Sequence, residues 1–263
     1  MRLRWSGLAY LYIAVLMVFI LVPALIIIPV SFGSGDMFSF PPSSFTLEQY
    51  IALVQDERIL SSLWLSLYIG IGSTILAGGV GILSALGIVR GNLPFKGLLE
   101  SFFMGPLIVP FITTGIGFLI IFVPMGLVGT PFGIILAHSV IISPYIIRIV
   151  IATLRHLDPA LEEAAIVHGA TPWYTFYTVV LPQLLPSIIS GGMLAFLVSL
   201  DEYTVTVFLS QANTVTIPIR IFQYVTMDIN PIITALASVT VIASFILIVV
   251  LEKKCKIHKY LEM

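Results

Sequence analysis

Residues 162–182 read EEAAIVHGATPWYTFYTVVLP, a polar, glycine-punctuated passage set between long apolar runs. Asp158-Pro159 just ahead of it is a helix start: aspartate accepts from the first free amides, and proline at the first helical position removes no bond the helix would make. Glu162 and Glu163 fall early in that helix, where the positive end of the dipole favours carboxylates. Leu161, Ala164, Ala165 and His168 share one face, and Gly169 is placed to stop the helix. Thr171-Pro172 starts a second helix by the same logic. Trp173, Tyr174, Phe176 and Tyr177 suit a membrane–water interface, and Leu181-Pro182 opens the next apolar run. A helix of about ten residues is marginal alone. The passage is therefore expected to be held by a partner, and its exposed, polar character makes that partner another protein.

The surrounding chain has 263 residues, 59% hydrophobic and 10% charged, with a mean hydropathy of +1.11. Soluble domains carry about 25% charged residues. This chain has too few charges to cover a surface in water, which predicts an all-α, multi-pass membrane protein. A net charge of −1 gives no bulk attraction to nucleic acid. The single cysteine, Cys255, excludes an internal disulfide and offers no metal-site spacing.

Residues 5–35, 59–89, 101–147, 164–200 and 229–251 contain no Asp, Glu, Lys or Arg. The third run is too long for one crossing and is cut by PMGLVGTP at 124–131. Spans are therefore expected near 8–30, 62–88, 101–123, 132–152, 180–200 and 231–251, within one transmembrane domain over 1–263. Six spans put both termini on one side. With the N-terminus inside, the inner segments hold Arg2, Arg4, Arg90, Lys96, Arg148, Arg155, Lys253, Lys254, Lys256 and Lys259, and the outer segments only Arg58 and Arg220. That bias predicts cytoplasmic termini and a cytoplasmic segment 158–178. The apolar run after MRLRW is longer than a leader's core and lacks a small-x-small site, so it is expected to be retained as the first span.

Within the second span, Ser66, Gly70, Thr74 and Gly78 recur every fourth position, as do Ala77, Gly81 and Ala85. Such rows let helices approach closely in lipid, though a solute path would use small residues too. Pro23, Pro29, Pro106, Pro110, Pro144, Pro182 and Pro186 predict kinks. His138 is the one charge-bearing side chain deep in a span, readable as a hydrogen-bonded structural group or as a proton relay.

Glu163-Ala164-Ala165, three spacers, Gly169, nine spacers, then Val179-x-Leu181-Pro182 resembles the EAA loop of ABC-importer permeases, departing only by valine for isoleucine at 179. AHSVIISPYIIRIVIATLRHLDPALEEAAIVHGAT (137–171) and SLDEYTVTVFLSQANTVTIPIRIF (199–222) are similar to spermidine/putrescine permeases of the C type, and the likeness covers roughly residues 8–255. The resemblance implies a type I importer permease in a bacterial cytoplasmic (inner) membrane. In it, Glu162, Glu163, Ala164, Ala165, His168 and Gly169 form a coupling helix that docks on a separate ATPase. It implies two ATPase subunits that bind ATP and Mg, a second related permease, a periplasmic or extracellular solute-binding protein, and a small solute, expected to be a polyamine. Relatives in this subfamily that handle phosphonates, opine-like or amino-acid-like solutes keep those alternatives open.

No G-x-x-x-x-G-K-[ST] occurs in the chain, so it cannot cradle ATP phosphates itself. No H-E-x-x-H or G-x-S-x-G points to catalysis, and the chain is not expected to be an enzyme. An ion-coupled secondary transporter would show intramembrane acids and inverted repeats, and neither is apparent. Among the outer acids, Asp36, Glu48, Asp56 and Glu57 read as solvated loop groups. Asp201 and Glu202, followed by Tyr203, come directly after AFLVSL and are expected at the mouth of the solute path, where they would attract a cation or meet the binding protein.

Overall fold

The structure, a computed structural model, describes residues 7–34, 39–228 and 230–255. Asp36 and the basic Arg2, Arg4, Lys256 and Lys259 lie outside them. Apart from one isolated antiparallel bridge between Gly33 and Phe45, the regular structure of the described residues is helical. Helices satisfy their own backbone hydrogen bonds, which apolar surroundings demand.

In chain order the helices are α1 (Gly7–Val30), α2 (Glu48–Gln55), α3 (Glu57–Val89), α4 (Lys96–Phe103), α5 (Phe111–Phe122) and α6 (Pro131–His156). Then follow α7 (Pro159–Val167), α8 (Pro172–Thr175), α9 (Leu181–Asp201), α10 (Thr206–Leu209), α11 (Ile217–Gln223) and α12 (Ile232–Cys255). A π turn at Phe176–Val180 joins α8 to α9, giving one helical stretch, Pro172–Asp201. Among the described residues four helices are long and apolar enough to cross a membrane: Ala9–Val30, α3, α6 and Pro172–Asp201. These fall on the stretches expected near 8–30, 62–88, 132–152 and 180–200.

Residues 101–123 are not one unbroken helix. After α4 comes a 3-10 turn at Gly105–Leu107, an extended residue at Pro110 (ψ 132°), and then the 12-residue α5. Pro106 and Pro110 have no amide to donate, and each disfavours helix in the residue before it. Twelve residues rise about 18 Å, short of the ~30 Å hydrocarbon core. The last expected span coincides with α12, whose described apolar run is Ile232–Ile246.

The chain packs as two compact units, one from the described residues up to Leu60 with Ile221–Leu247, the other centred on Ser61–Arg220. In the first, Tyr50 Oη lies 2.6 Å from Ser31 Oγ and donates to Ser238 Oγ at 3.2 Å. Phe32 packs on Tyr50 with ring centres 4.9 Å apart. None of the described side chains of α1 is buried, as suits a helix bathed in lipid.

In the second unit α6 is the central helix, with most of its apolar length buried. Ile134, Ile141, Ile142, Ile146, Ile147, Val150 and Leu154 are inaccessible or nearly so. Glycines let its neighbours come close. A β-carbon at Gly81 would stand 3.1 Å from Ile146, and one at Gly191 would stand 3.2 Å from the Ile146 backbone. The row Ala77, Gly81, Ala85 is thus a packing seam, with both alanines fully buried. The other row is mixed: Ser66 is buried, whereas nothing lies within 4 Å of where a Gly78 β-carbon would be.

Candidate functional site: the 158–178 segment

Local chemistry builds this segment much as the sequence predicts. Asp158 Oδ1 accepts from Ala160 N at 3.0 Å and caps α7, with Pro159 as its first residue. At the other end Gly169 N donates to Ile166 O (2.9 Å) and Ala170 N to Ala165 O (3.0 Å). That pair of bonds is a Schellman stop, and it holds Gly169 at φ +87°. Thr171 Oγ1 then accepts from Tyr174 N at 3.3 Å, starting α8. Trp173 meets Tyr177 edge-on (4.9 Å) and stacks on Phe176 (5.9 Å). α7 packs on α8 and on the π turn, so the short helix is braced against the beginning of α9.

Its outer surface is uncovered. Glu163, Ala164, His168 and Gly169 are exposed and Ala165 is half-buried. Leu161, Ile166, Val167, Trp173 and Tyr174 are exposed apolar or aromatic side chains, Val167 at 84%. Beside them a cavity of about 510 Å³ is lined by Ala165, His168, Gly169, Ala170, Thr171 and Tyr174. Exposed aromatic side chains are enriched at protein contact surfaces.

Glu162 differs from its neighbours. It accepts from Arg90 Nε at 2.8 Å, while Arg90 Nη2 donates to Leu157 O at 3.1 Å. Its carboxylate is turned toward the protein, so α7 presents Glu163 rather than both glutamates. In the sequence Arg90 bears only on orientation, because no local spacing links it to a carboxylate so far along the chain. Two further links lie nearby: Arg155 Nη2 donates to Glu100 Oε2 (2.6 Å), and Lys96 Nζ to Val89 O (3.3 Å).

The second candidate group separates. Asp201 is exposed, Tyr203 is half-buried, and Glu202 is buried. Glu202 Oε1 accepts from Val205 N at 2.7 Å. Its Oε2 accepts from Thr206 N (2.9 Å) and Thr206 Oγ1 (2.8 Å) and lies 3.6 Å from His138 Nε2. His138 in turn meets Ser199 Oγ through Nδ1 and Thr206 Oγ1 through Nε2, both at 2.7 Å. Of the two acids expected side by side at a mouth, Glu202 has its oxygens taken up in capping α10 and binding α6 to the end of α9. His138 has a partner at each ring nitrogen, which matches the structural reading of that residue. Among the described residues no group of three or more His, Cys, Asp or Glu is arranged to hold a metal.

The chain is 34% identical over 228 residues to the putrescine transport system permease protein PotI of Escherichia coli (strain K12), covering 84% of this chain and 80% of that one. It is 27% identical over 241 residues to the spermidine/putrescine transport system permease protein PotC of Haemophilus influenzae, covering 92% and 90%. In fold it is similar to a chain from the crystal structure of a bacterial ABC transporter involved in the import of the acidic polysaccharide alginate. The TM-score is 0.77 at 16% identity, over 97% of this chain and 99% of that one. Residues 77–253 match the model of one family. The chain belongs to the binding-protein-dependent transport system inner membrane components.

Proposed function

We propose that this chain is the permease subunit of an ATP-driven polyamine importer, with segment 158–178 as the element that docks on a separate ATPase. The observation that carries the substrate is the 34% identity with a putrescine permease across most of both chains. The docking role is supported by the capped α7, its glycine stop and the exposed side chains of Leu161, Ile166 and Val167. In this reading two ATPase subunits bind ATP and Mg, a second related permease completes the path, and a solute-binding protein delivers the amine. The six crossings are α1, α3, the broken 96–122 segment, α6, the α8–α9 stretch and α12. Ten of the twelve Lys and Arg residues then fall on the cytoplasmic side of a bacterial inner membrane. ATP-driven closure of the ATPases moves α7, and the attached helices rock between inward- and outward-facing states. Asp201 supplies exposed negative charge toward the solute, with Tyr203 beside it and Glu202 holding the turn.

The test is ATP hydrolysis by the assembled complex in vesicles with its binding protein. Putrescine or spermidine should raise the rate several-fold above the solute-free rate. Stimulation by an anionic or neutral solute, with none by either polyamine, would replace the substrate assignment.

A further inference from the structure

Arg90 stands one residue beyond the end of α3, and its guanidinium serves two other elements at once. Nε bonds Glu162 in the first turn of α7, and Nη2 bonds the carbonyl of Leu157, the residue that closes α6. The two side chains are only 26% and 23% exposed, so the pair is better shielded from water and salt than a surface pair. A planar fork of donors can hold two acceptors in fixed directions, which a lysine cannot do. α7 has nine residues and little stability of its own. It is joined through the chain to α6 and packed against the π turn that begins the α9 stretch. Arg90 adds α3 to that set.

α3 is the helix for which such a link has a consequence. Ile71, Thr74 and Ile75 of α3 and Ile188, Gly192 and Phe196 of α9 line one open apolar groove, and a β-carbon at Gly192 would stand 3.5 Å from Thr74, so a shift of one helix without the other changes that contact. Near its other end α3 is held to the α11 region, since Ser66 Oγ accepts from Ile217 N (2.8 Å) and Ser62 Oγ from Arg220 Nε (3.3 Å). We propose that Arg90 is a positioning residue that fixes α7 to the end of α3, so that displacement of the docking segment by the ATPase moves α3 together with α6 and α9. This rests on the reading of 158–178 as the docking element. Glu162 then acts inward through Arg90, and Glu163 is left for the partner.

The experiment uses the whole complex in vesicles, reading ATPase retained on purification, ATP hydrolysed, and solute imported per ATP. Arg90→Ala should retain the ATPase and hydrolyse ATP at near wild-type rates, while import per ATP falls at least threefold; Glu162→Ala should lower import per ATP to a similar extent. Arg90→Lys, which keeps one bond, should fall between. The reversed pair, Arg90→Glu with Glu162→Arg, should recover at least half of what either reversal alone loses, a rescue that a merely space-filling role would not give. Unchanged import per ATP in the alanine variants, or no recovery in the reversed pair, would overturn the proposal. Val167→Asp, at an exposed residue of α7, separates the two levels. Loss of the ATPase there supports the docking reading whatever Arg90 does, and full retention defeats that reading itself.

Discussion

A β-carbon at position 169 would have nothing within 4 Å to strike, yet it would sit on a backbone at φ +87°. Strain alone makes that position glycine, and a residue other than glycine held there costs about 1–3 kcal/mol. Gly169→Asn, whose side chain tolerates this region, should keep most uptake. Gly169→Val should lose most of it while the protein still inserts, as read by solute uptake and membrane-fraction yield. Asp201 and Glu202 show the limit of reading residues one at a time. They are adjacent and alike in sequence, but one is exposed and the other capped by partners reaching as far back as His138. Glu202→Ala leaves buried donors on Val205 and Thr206 unmatched, each bond to a charged group being worth about 1.5–3 kcal/mol. It should therefore lower the melting temperature of the purified complex. Asp201→Asn should leave melting unchanged and lower polyamine uptake severalfold. If uptake is unaffected, the Asp201 charge does not serve the solute.

Elements whose boundaries are set by local chemistry were legible, and those set by distant packing were not. α7 could be placed from Asp158-Pro159 and Gly169 because its caps are within a few residues of its ends. The break at Pro110 was harder: seven prolines fall in expected spans, and α6 carries Pro144 without interruption. Only surrounding packing decides which proline ends a helix. The start of α3 offers a test at this scale. Asp56 Oδ1 accepts from the amides of Arg58 (2.8 Å) and Ile59 (3.2 Å), and Tyr224 Oη donates to Oδ2 at 2.7 Å. Burial pushes the Asp56 carboxyl up, but the Tyr224 bond, the two amides and the Arg58 charge together hold it below its ordinary 3.8. Because the folded value is depressed, this contribution is present above that ordinary value and is lost as pH falls through the depressed one. The melting temperature of the native chain should thus drop more steeply than that of Asp56→Asn below pH 3.8. Parallel curves would mean the cap carries no stability.

At the scale of the whole molecule, composition made the membrane class and four helices long and apolar enough to cross a membrane readable, because a 20-residue apolar run has few other uses. The division into two compact units had no sequence signal, since contacts between residues far apart, such as Tyr50 with Ser238, leave no local pattern. In the proposed assembly α7 faces the cytoplasm and docks on an ATPase. Val167 is suited to probing it, being 84% exposed at the end of α7. With Cys255 replaced, Val167→Cys can be cross-linked in the assembled complex to a cysteine on the ATPase surface. A cross-link to the ATPase is expected, with a yield that changes when ATP is added, and the thiol should be labelled only from the cytoplasmic side. Labelling from the outside of intact cells, or import that continues with no cross-link to any ATPase, would contradict it.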